Sequence, residues 1–242
     1  MKRILPLLAA LAAAFCLQVT ALAQDYRPYL KRSELPDGVQ YLLAPPDSST
    51  LRFFDDWLQY RWGKSVRETP RGERAAAEAE HSPEAFARMY SEPFGLPITE
   101  KGTPAIYRLL ARTADTAGAS TGTAKRHYMR LRPYVLYGEP TLVPEEEESH
   151  RRTGSYPSSH SAMGWATALV LSEVNPDRAE PILQFGYEYG QSRVIAGYHF
   201  QSDVDIARLA AAACVARLHT DKAFQKDLEQ AQKEYKRLAG KK

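Results

Sequence analysis

The sequence predicts an all-α fold, built as a single-domain helical bundle. Apolar residues recur at helical spacing in several long segments, and Ser82-Pro83 and Thr103-Pro104 are helix-start signals ahead of two of them. No segment alternates polar and apolar residues as a half-buried strand would. About 220 residues remain after a predicted leader, which suits one domain with a sizeable core.

The first 23 residues have the layout of a secretory signal peptide. Lys2 and Arg3 precede an apolar run from Ile4 to Leu17, and Ala21-Leu22-Ala23 is a small-x-small cleavage site. The run is short for a membrane span, and an uncleaved anchor is the alternative. We therefore expect a signal peptide over residues 1–23, a mature domain over residues 24–242, and a periplasmic or secreted protein with no membrane span after cleavage.

Charge and cysteine content narrow the function classes. Without Lys2 and Arg3, the 32 basic residues become 30 against 29 acidic ones, a net charge of +1. This balance argues against a broad surface for nucleic acid or anionic membrane. Cys16 leaves with the leader, and Cys214 lies in an apolar run that predicts a buried, small apolar side chain. An intermolecular disulfide is the alternative for Cys214.

The mature chain begins with a proline-rich stretch. Residues 25–47 contain four prolines and are expected to form an extended arm on the body, without a helix. Ser48-Ser49-Thr50 can cap the next helix, which carries aromatic residues at helical spacing that we expect to lie in the core. These aromatic residues are Phe53, Phe54, Trp57 and Tyr60.

Further helices are expected in the middle of the chain. Residues 70–72 break the helical pattern, and a helix is predicted over Glu73 to Glu80. Others follow Ser82-Pro83 and Thr103-Pro104, the second continuing past Asp115 towards Lys125. Tyr134 to Thr153 contains glycine and prolines and is predicted to be a loop.

Four helices are predicted in the C-terminal part of the chain. An apolar helix should follow Ser158-Ser159-His160 and end at Asn175-Pro176. A second should run from about Glu180 to Tyr189, and a third covers the apolar run after Asp203. The last, from Asp221, has an apolar stripe and should close the bundle.

Three polar residues near the start of the third of these helices are candidates for a site. His199 follows Arg193 by six positions, and Asp203 follows His199 by four. A helix from His199 would put His199 and Asp203 on one face, where the carboxylate can accept from Nδ1–H and leave Nε2 free as base, nucleophile or metal ligand. The planar guanidinium of Arg193 suits phosphate or carboxylate. A surface histidine with a helix salt bridge is the alternative for this stretch alone.

Two upstream clusters supply further groups that could bind an oxyanion. Lys125 and Arg132 are seven residues apart, two helical turns on roughly one face, and Pro157-Ser158-Ser159-His160 precedes an apolar helix. A solvated basic face and a simple helix cap are the separate alternatives. Together, three cations and a helix N-terminus with serine hydroxyls can hold a tetrahedral oxyanion between two histidines.

These residues together resemble the class A non-specific acid phosphatases, within the type 2 phosphatidic acid phosphatase and vanadium haloperoxidase superfamily. The superfamily pattern is K-x6-R-P, then P-S-G-H, then S-R-x5-H-x3-D. This chain matches ten of the eleven specified residues in order and spacing. The departure is Ser159, where the family has a glycine that lets backbone approach the phosphate. We expect Ser159 to alter selectivity or affinity without abolishing activity.

The resemblance implies a helical bundle of the type 2 phosphatidic acid phosphatase kind and an exported, metal-independent acid phosphatase, with the Gram-negative periplasm favoured. It implies hydrolysis of small organic phosphomonoesters through phosphohistidine, possible phosphotransfer, no cofactor, and inhibition by vanadate and phosphate. A homo-oligomer is possible. The implied catalytic residues are His199 as the nucleophile, Asp203 as the group that orients the His199 ring, and His160 as the general acid. The implied phosphate-binding residues are Lys125, Arg132, Ser158, Ser159 and Arg193.

Two other functions remain as alternatives. A vanadate-dependent haloperoxidase would use the same oxyanion cage, but the short chain and the G-S-Y-P-S-S-H context favour the phosphatase. A non-catalytic phosphate-binding surface protein would not need both His160 and His199. No H-E-x-x-H motif, cysteine cluster or carboxylate pair predicts a metal site.

Several nearby polar residues are predicted to lie outside the site. Residues 145–148 are four glutamates that favour a solvated loop over a pocket rim. Asp205 should point away from Asp203 on a helix, and His127 should be structural. His81, His150 and His219 have no supporting neighbours in the sequence.

Overall fold

The computed structural model describes residues 26–240, and these form helices and loops without a β-strand. The predicted all-α class is therefore confirmed. The predicted signal peptide lies outside the described residues. The α-helices are α1 (Gly38–Tyr41), α2 (Leu51–Ser65), α3 (Pro70–Ala77), α4 (Pro83–Phe94), α5 (Pro104–Ser120), α6 (Gly122–Tyr128), α7 (Pro133–Tyr137), α8 (Glu147–Arg151), α9 (Ser159–Val174), α10 (Ala179–Ala196), α11 (Gln201–Leu218) and α12 (Lys222–Ala239). Short 3₁₀ turns lie at Arg32–Glu34, Pro144–Glu146 and Pro176–Arg178.

Helix α9 lies at the centre of the bundle. It packs against α5, α10, α11 and α12, and its buried positions fall on every side of the helix. A helix that is apolar all round has to be surrounded by other elements, and α9 is. No helix in the described part of the chain is both long enough and apolar enough to span a bilayer.

Helix starts follow the predicted capping signals. Thr50 accepts a hydrogen bond from the Phe53 N–H, Ser82 from the Ala85 N–H and Asp221 from the Phe224 N–H. Each side chain satisfies a backbone donor that the first helical turn leaves unpaired. The Cys214 side chain is fully buried in α11, as its apolar surroundings predicted.

The ends of α10 and α11 differ from the prediction, and the difference decides how the site is built. Helix α10 runs to Ala196, beyond the predicted end at Tyr189, and stops where Gly197 takes a left-handed conformation with φ of +89°. Any side chain at Gly197 would also strike the Arg67 guanidinium. Arg193 therefore lies in the last turn of α10, and His199 lies in the turn before α11 and not within a helix.

The segment around Lys125 and Arg132 is also not one helix. Helix α5 ends at Ser120, and α6 ends where Met129 adopts a left-handed conformation with φ of 43°. Arg132 then caps α7. The predicted placement of Lys125 and Arg132 on one helical face is therefore wrong. They meet because the chain folds back between them.

Three smaller predictions also need correction. The arm over residues 25–47 contains a 3₁₀ turn and α1, because Asp37 caps a short helical turn through the Val39 N–H. Residues 70–72 do not interrupt a helix: Pro70 occupies the first position of α3, where its missing N–H costs nothing. The predicted loop after Tyr134 contains α7, α8 and a 3₁₀ turn.

The aromatic stripe of α2 is core only in part. Tyr60 is 1% exposed, but Phe54 is 54% and Trp57 39% exposed. The buried face of α2 consists of Asp56, Tyr60 and Gly63, spaced as i, i+4 and i+7. The buried face of this helix therefore combines a carboxylate, one aromatic side chain and a glycine, and is not an aromatic row.

Candidate active site

One cavity collects most of the predicted site residues. It has a volume of about 260 Å³ and lies where the start of α9, the end of α10 and the segments around α6 and α8 meet. Its walls include six predicted residues: Lys125, Arg132, Ser159, His160, Arg193 and His199. Ser158 and Asp203 are buried behind these walls and do not line the cavity.

His199 presents Nε2 to the cationic side of the cavity. Arg132 Nη1 lies 3.1 Å from Nε2 and can only donate, so Nε2 accepts and the ring proton sits on Nδ1. Nδ1 is 3.4 Å from Asp203 Oδ2 and 3.5 Å from Ser155 Oγ. The predicted pairing of His199 with Asp203 is thus present, although the two residues do not share a helix.

Asp203 is held from several directions. Its Oδ2 accepts hydrogen bonds from the Phe200 N–H at 2.8 Å and from the Ser155 hydroxyl. Its Oδ1 accepts from Arg130 Nη1 at 2.6 Å. Its backbone carbonyl accepts from the Ser158 N–H at 3.0 Å, which ties this residue to the start of α9.

His160 faces the cavity from the first turn of α9. Its ring stacks on Tyr189 with centroids 4.2 Å apart and planes inclined by 11°. A hydrogen bond to the Glu78 backbone holds the ring, and Nε2 has no hydrogen-bond partner in the described part of the chain. Its orientation leaves Nε2 as the atom that can exchange a proton with a bound molecule.

Burial and positive charge lower the pKa values of both histidines. For His160, burial lowers the pKa well below its usual range, and Arg193, His81 and His199 add to the effect. For His199, burial lowers the pKa in the same direction, followed by the charges of Arg132 and Lys125. The surroundings of both rings therefore favour the neutral form over the protonated one.

Three cations converge on the cavity. Burial, reinforced by Arg132, lowers the pKa of Lys125 to about 7, and its Nζ donates to the Gly154 carbonyl at 2.9 Å. Arg132 donates to the carbonyls of His150 and Tyr198, and burial lowers its pKa to about 10. An anion bound here would relieve this concentration of buried positive charge.

Arg193 has the donors most available to a ligand. Its guanidinium lies 4.4 Å from the centre of the Tyr198 ring and is almost fully buried. Nε and Nη1 have no hydrogen-bond partner within residues 26–240. Two unpaired donors on a buried arginine are costly, so they mark a place for an acceptor such as a phosphate oxygen.

The two serines of the P-S-S-H segment occupy different places. Ser158 caps α9 and accepts from the Ser161 N–H at 3.2 Å, so its hydroxyl is used within the helix cap. Ser159 lines the cavity, and its hydroxyl lies 2.7 Å from that of Thr121. The Ser159 side chain, which replaces the family glycine, thus has a hydroxyl partner beside the cavity.

Five residues that line the cavity were not predicted from the sequence. His81, Glu146, His150, Thr153 and Met163 also line it. The prediction that His81 and His150 lie outside the site was wrong, because both line the cavity. The His81 ring packs edge-on against the His160 ring, with the two ring centroids 5.9 Å apart. The solvated-loop prediction fails for Glu146, although Glu145 and Glu148 are exposed. Short-range sequence signals could not find these residues, because their partners are distant in the chain.

Two polar residues that were left out of the site do lie elsewhere. Asp205 forms an exposed ion pair with Arg208, and His127 packs edge-on against Tyr128. Within residues 26–240, no group of three or more histidine, cysteine, aspartate or glutamate side chains is arranged to hold a metal ion.

Comparison with known proteins places this geometry in a family context. The family model of the PAP2 superfamily matches residues 107–226. A non-specific acid phosphatase of Providencia stuartii is 46% identical, over 87% of this chain and 85% of the relative. A non-specific acid phosphatase of Salmonella typhimurium is 40% identical, over 88% of this chain and 85% of the relative. An acid phosphatase of Zymomonas mobilis is 32% identical, over 93% of this chain and 85% of the relative.

The low pKa of Lys125 predicts pH-dependent anion binding. Sulfate keeps its charge over pH 5 to 9, so its affinity reports the protein alone. Because Lys125 loses its proton above about pH 7, sulfate affinity should fall there by up to about tenfold per pH unit. Lys125→Arg should remove this dependence, since arginine stays charged.

Isothermal titration of sulfate across this pH range tests the prediction. Arg126→Gln, one residue away and exposed, is the matched control and should behave as the wild type. The same pH dependence in Lys125→Arg and in the wild type would show that Lys125 does not contact the anion.

Proposed function

Because the chain belongs to the bacterial non-specific acid phosphatases of the PAP2 superfamily, we propose that it hydrolyses small organic phosphomonoesters through a phosphohistidine on His199. The observation that carries this proposal is the arrangement of the cavity. Among residues 26–240, His160 Nε2 has no hydrogen-bond partner and His199 Nε2 accepts only from Arg132, and both imidazoles line the cavity with three cations.

The first chemical step forms the phosphoenzyme. The lone pair of His199 Nε2 attacks phosphorus, and the bond from phosphorus to the ester oxygen breaks. His160 gives its proton to that oxygen, so an alcohol leaves and not an alkoxide. Asp203 holds the Nδ1–H of His199 as the ring becomes positively charged.

The second step returns the enzyme to its starting state. His160, now neutral, takes a proton from water, and the water oxygen attacks the phosphohistidine. The nitrogen–phosphorus bond breaks, its electron pair returns to His199, and inorganic phosphate is released. An alcohol in place of water would give phosphotransfer, which we propose as a secondary activity.

The three cations stabilise the transferring group. Phosphoryl transfer spreads negative charge over three equatorial oxygens. Fixed hydrogen-bond donors in a buried cavity stabilise this charge without having to reorganise. The unpaired donors of Arg193 are placed to serve one oxygen, and Arg132 and Lys125 serve the others. We expect vanadate and phosphate to inhibit, because both present the same oxygen pattern.

The protonation states fit an acid phosphatase. A nucleophile must be neutral, and burial with the nearby cations Arg132 and Lys125 lowers the pKa of His199, which favours the neutral ring. His160 must start protonated, while burial and Arg193 lower its pKa. A substrate phosphate bound to Arg193 adds negative charge beside His160 and opposes that lowering, and acidic solution supplies the proton.

The location of the protein is part of the proposal. We propose that residues 1–23 act as a signal peptide, that residues 24–242 form the catalytic domain, and that the enzyme works outside the cytoplasm, in the periplasm of a Gram-negative cell. The Lys2-Arg3 start, the apolar run and the cleavage site support export. Oligomer formation is a separate proposal, which sedimentation can decide.

The nucleophile prediction is direct. Enzyme quenched in alkaline detergent during turnover of a ³²P-labelled phosphomonoester should retain label that is stable to base and lost on later treatment with acid, as expected of a phosphoramidate. His199→Ala should abolish label and turnover, because the attacking atom is gone. Peptide mapping locates the label, and His127→Ala is the matched control. Label recovered on a serine would contradict the assignment.

The general-acid prediction depends on the leaving group. His160→Ala should lose about 10²- to 10⁴-fold in kcat on an alkyl phosphate, whose alkoxide needs a proton. It should lose much less on an activated aryl phosphate, provided that phosphoryl transfer limits both. Steady-state kinetics on the two substrates measure this ratio. Equal losses on both would leave His160 as a phosphate contact only.

A further inference from the structure

Asp203 belongs to a buried network that extends away from the cavity. Arg130 Nη1 donates to Asp203 Oδ1 at 2.6 Å, and its Nη2 donates to Asp56 Oδ2 at 2.7 Å. Both carboxylates are essentially inaccessible, and only 9% of the Arg130 side chain is exposed. Asp56, Arg130, Asp203 and His199 thus form a continuous chain that alternates carboxylate, guanidinium, carboxylate and imidazole.

The outer carboxylate is fixed to the same helix as Asp203. Asp56 Oδ1 accepts from the Ser202 N–H at 2.7 Å, and Oδ2 accepts from the Ser202 hydroxyl at 2.6 Å. Ser202 lies in the first turn of α11, so Asp56 satisfies a backbone donor that the helix leaves unpaired. It therefore couples α2 to the position of Asp203.

Arg130 is fixed by more than its two carboxylates. Its guanidinium lies 4.2 Å from the centre of the Phe200 ring, and its carbonyl accepts from the Ser155 N–H at 2.8 Å. The Ser155 hydroxyl in turn donates to Asp203. Arg130 thus sets Asp203 directly through Oδ1 and indirectly through the residue that binds Oδ2.

We propose that Asp56 and Arg130 are positioning residues for the nucleophile, which hold Asp203 against His199 and balance the charge of the Asp203 carboxylate. The inference rests on the proposed role of His199. Neither residue lines the cavity, so both act through Asp203.

The charge balance has a physical reason. An unbalanced carboxylate beside an imidazole favours the protonated ring, which cannot attack phosphorus. Arg130 neutralises part of the Asp203 charge, and Asp56 limits how strongly Arg130 does so. The other charged or titratable groups that surround His199 or share its cavity are His81, Lys125, Arg132, Glu146, His150, His160 and Arg193. None of them belongs to the network of Asp56, Arg130 and Asp203.

The proposal predicts shifts of opposite sign in the acid limb of kcat/KM. Arg130→Gln leaves Asp203 unbalanced, so His199 takes up its proton more readily and the limb moves to higher pH. In Asp56→Asn, Arg130 pairs with Asp203 alone and offsets more of its negative charge. His199 then takes up its proton less readily, so the limb moves to lower pH. We expect about half a pH unit or more in each direction. Dividing kcat/KM of each variant by that of the wild type at the same pH cancels the effect of substrate ionisation.

The two residues should also act as a unit. In the Arg130→Gln background, Asp56→Asn should move the limb little further, because its influence passes through Arg130. Arg130→Lys should recover part of the wild-type profile, since the charge remains and one contact is lost. We expect kcat to fall about 10- to 100-fold in Arg130→Gln, as for small misplacements of reacting groups. The inhibition constant of inorganic phosphate should stay within about twofold, because the cations of the cavity are unchanged.

Two control variants separate this role from a structural one. Asp205→Asn removes a carboxylate from the same helix, and Arg112→Gln breaks a buried ion pair with Asp227 far from the cavity. Both should leave the acid limb in place. If Arg130→Gln does not fold, Arg130→Lys and Asp56→Asn carry the same sign test.

The outcomes are distinguishable from failure of the proposed function. Acid limbs that do not move in opposite directions, additive shifts in the double variant, or a parallel loss of phosphate affinity would overturn the positioning role. A wild-type enzyme that forms no phosphohistidine would instead overturn the role of His199, and the proposal would fall with it.

Discussion

The buried carboxylate of Asp203 is the constraint on which the rest of the site depends. A carboxylate without water has to be paired and hydrogen-bonded, and Asp203 satisfies this by contacting four separate parts of the chain. Its oxygens bind Arg130, Ser155 and the Phe200 N–H, and its carbonyl binds the start of α9. The segments that carry His199 and His160 are therefore both fixed by one residue, which explains how two histidines 39 positions apart share a cavity.

The site concentrates positive charge at a cost to the fold. Lys125 is half-buried beside the buried Arg132 and Arg193, and burial lowers the pKa of each. Carbonyls from His150, Gly154 and Tyr198 offset part of this cost, but two donors of Arg193 remain unpaired within the described residues. A phosphate group would satisfy them, so the same feature that costs the protein free energy of folding favours the transition state of phosphoryl transfer.

Local sequence signals predicted the long helices and six of the residues that line the cavity. Capping residues such as Thr50 and Asp221 fix helix starts by hydrogen bonds within four residues, and the spaced motif residues come together as expected. Long-range contacts were beyond such signals. Nothing near His81 in the sequence indicates a cavity, and Asp56 was not among the aromatic residues of α2 that were expected in the core. Gly197 ends α10 before His199, and the close approach of Arg67, which leaves no room for a side chain there, comes from a distant part of the chain.

We propose that Asp203 and Arg132 together hold His199 as the neutral Nδ1–H tautomer, with its Nε2 lone pair directed into the cavity. Nitrogen-15 NMR of histidine-labelled protein measures this directly, because protonated and lone-pair nitrogens of imidazole resonate at well-separated shifts. We predict a neutral ring at pH 5 with the proton on Nδ1, assigned by loss of the signal in His199→Gln. A ring that is doubly protonated at pH 5, or one with its proton on Nε2, would contradict this account of the site.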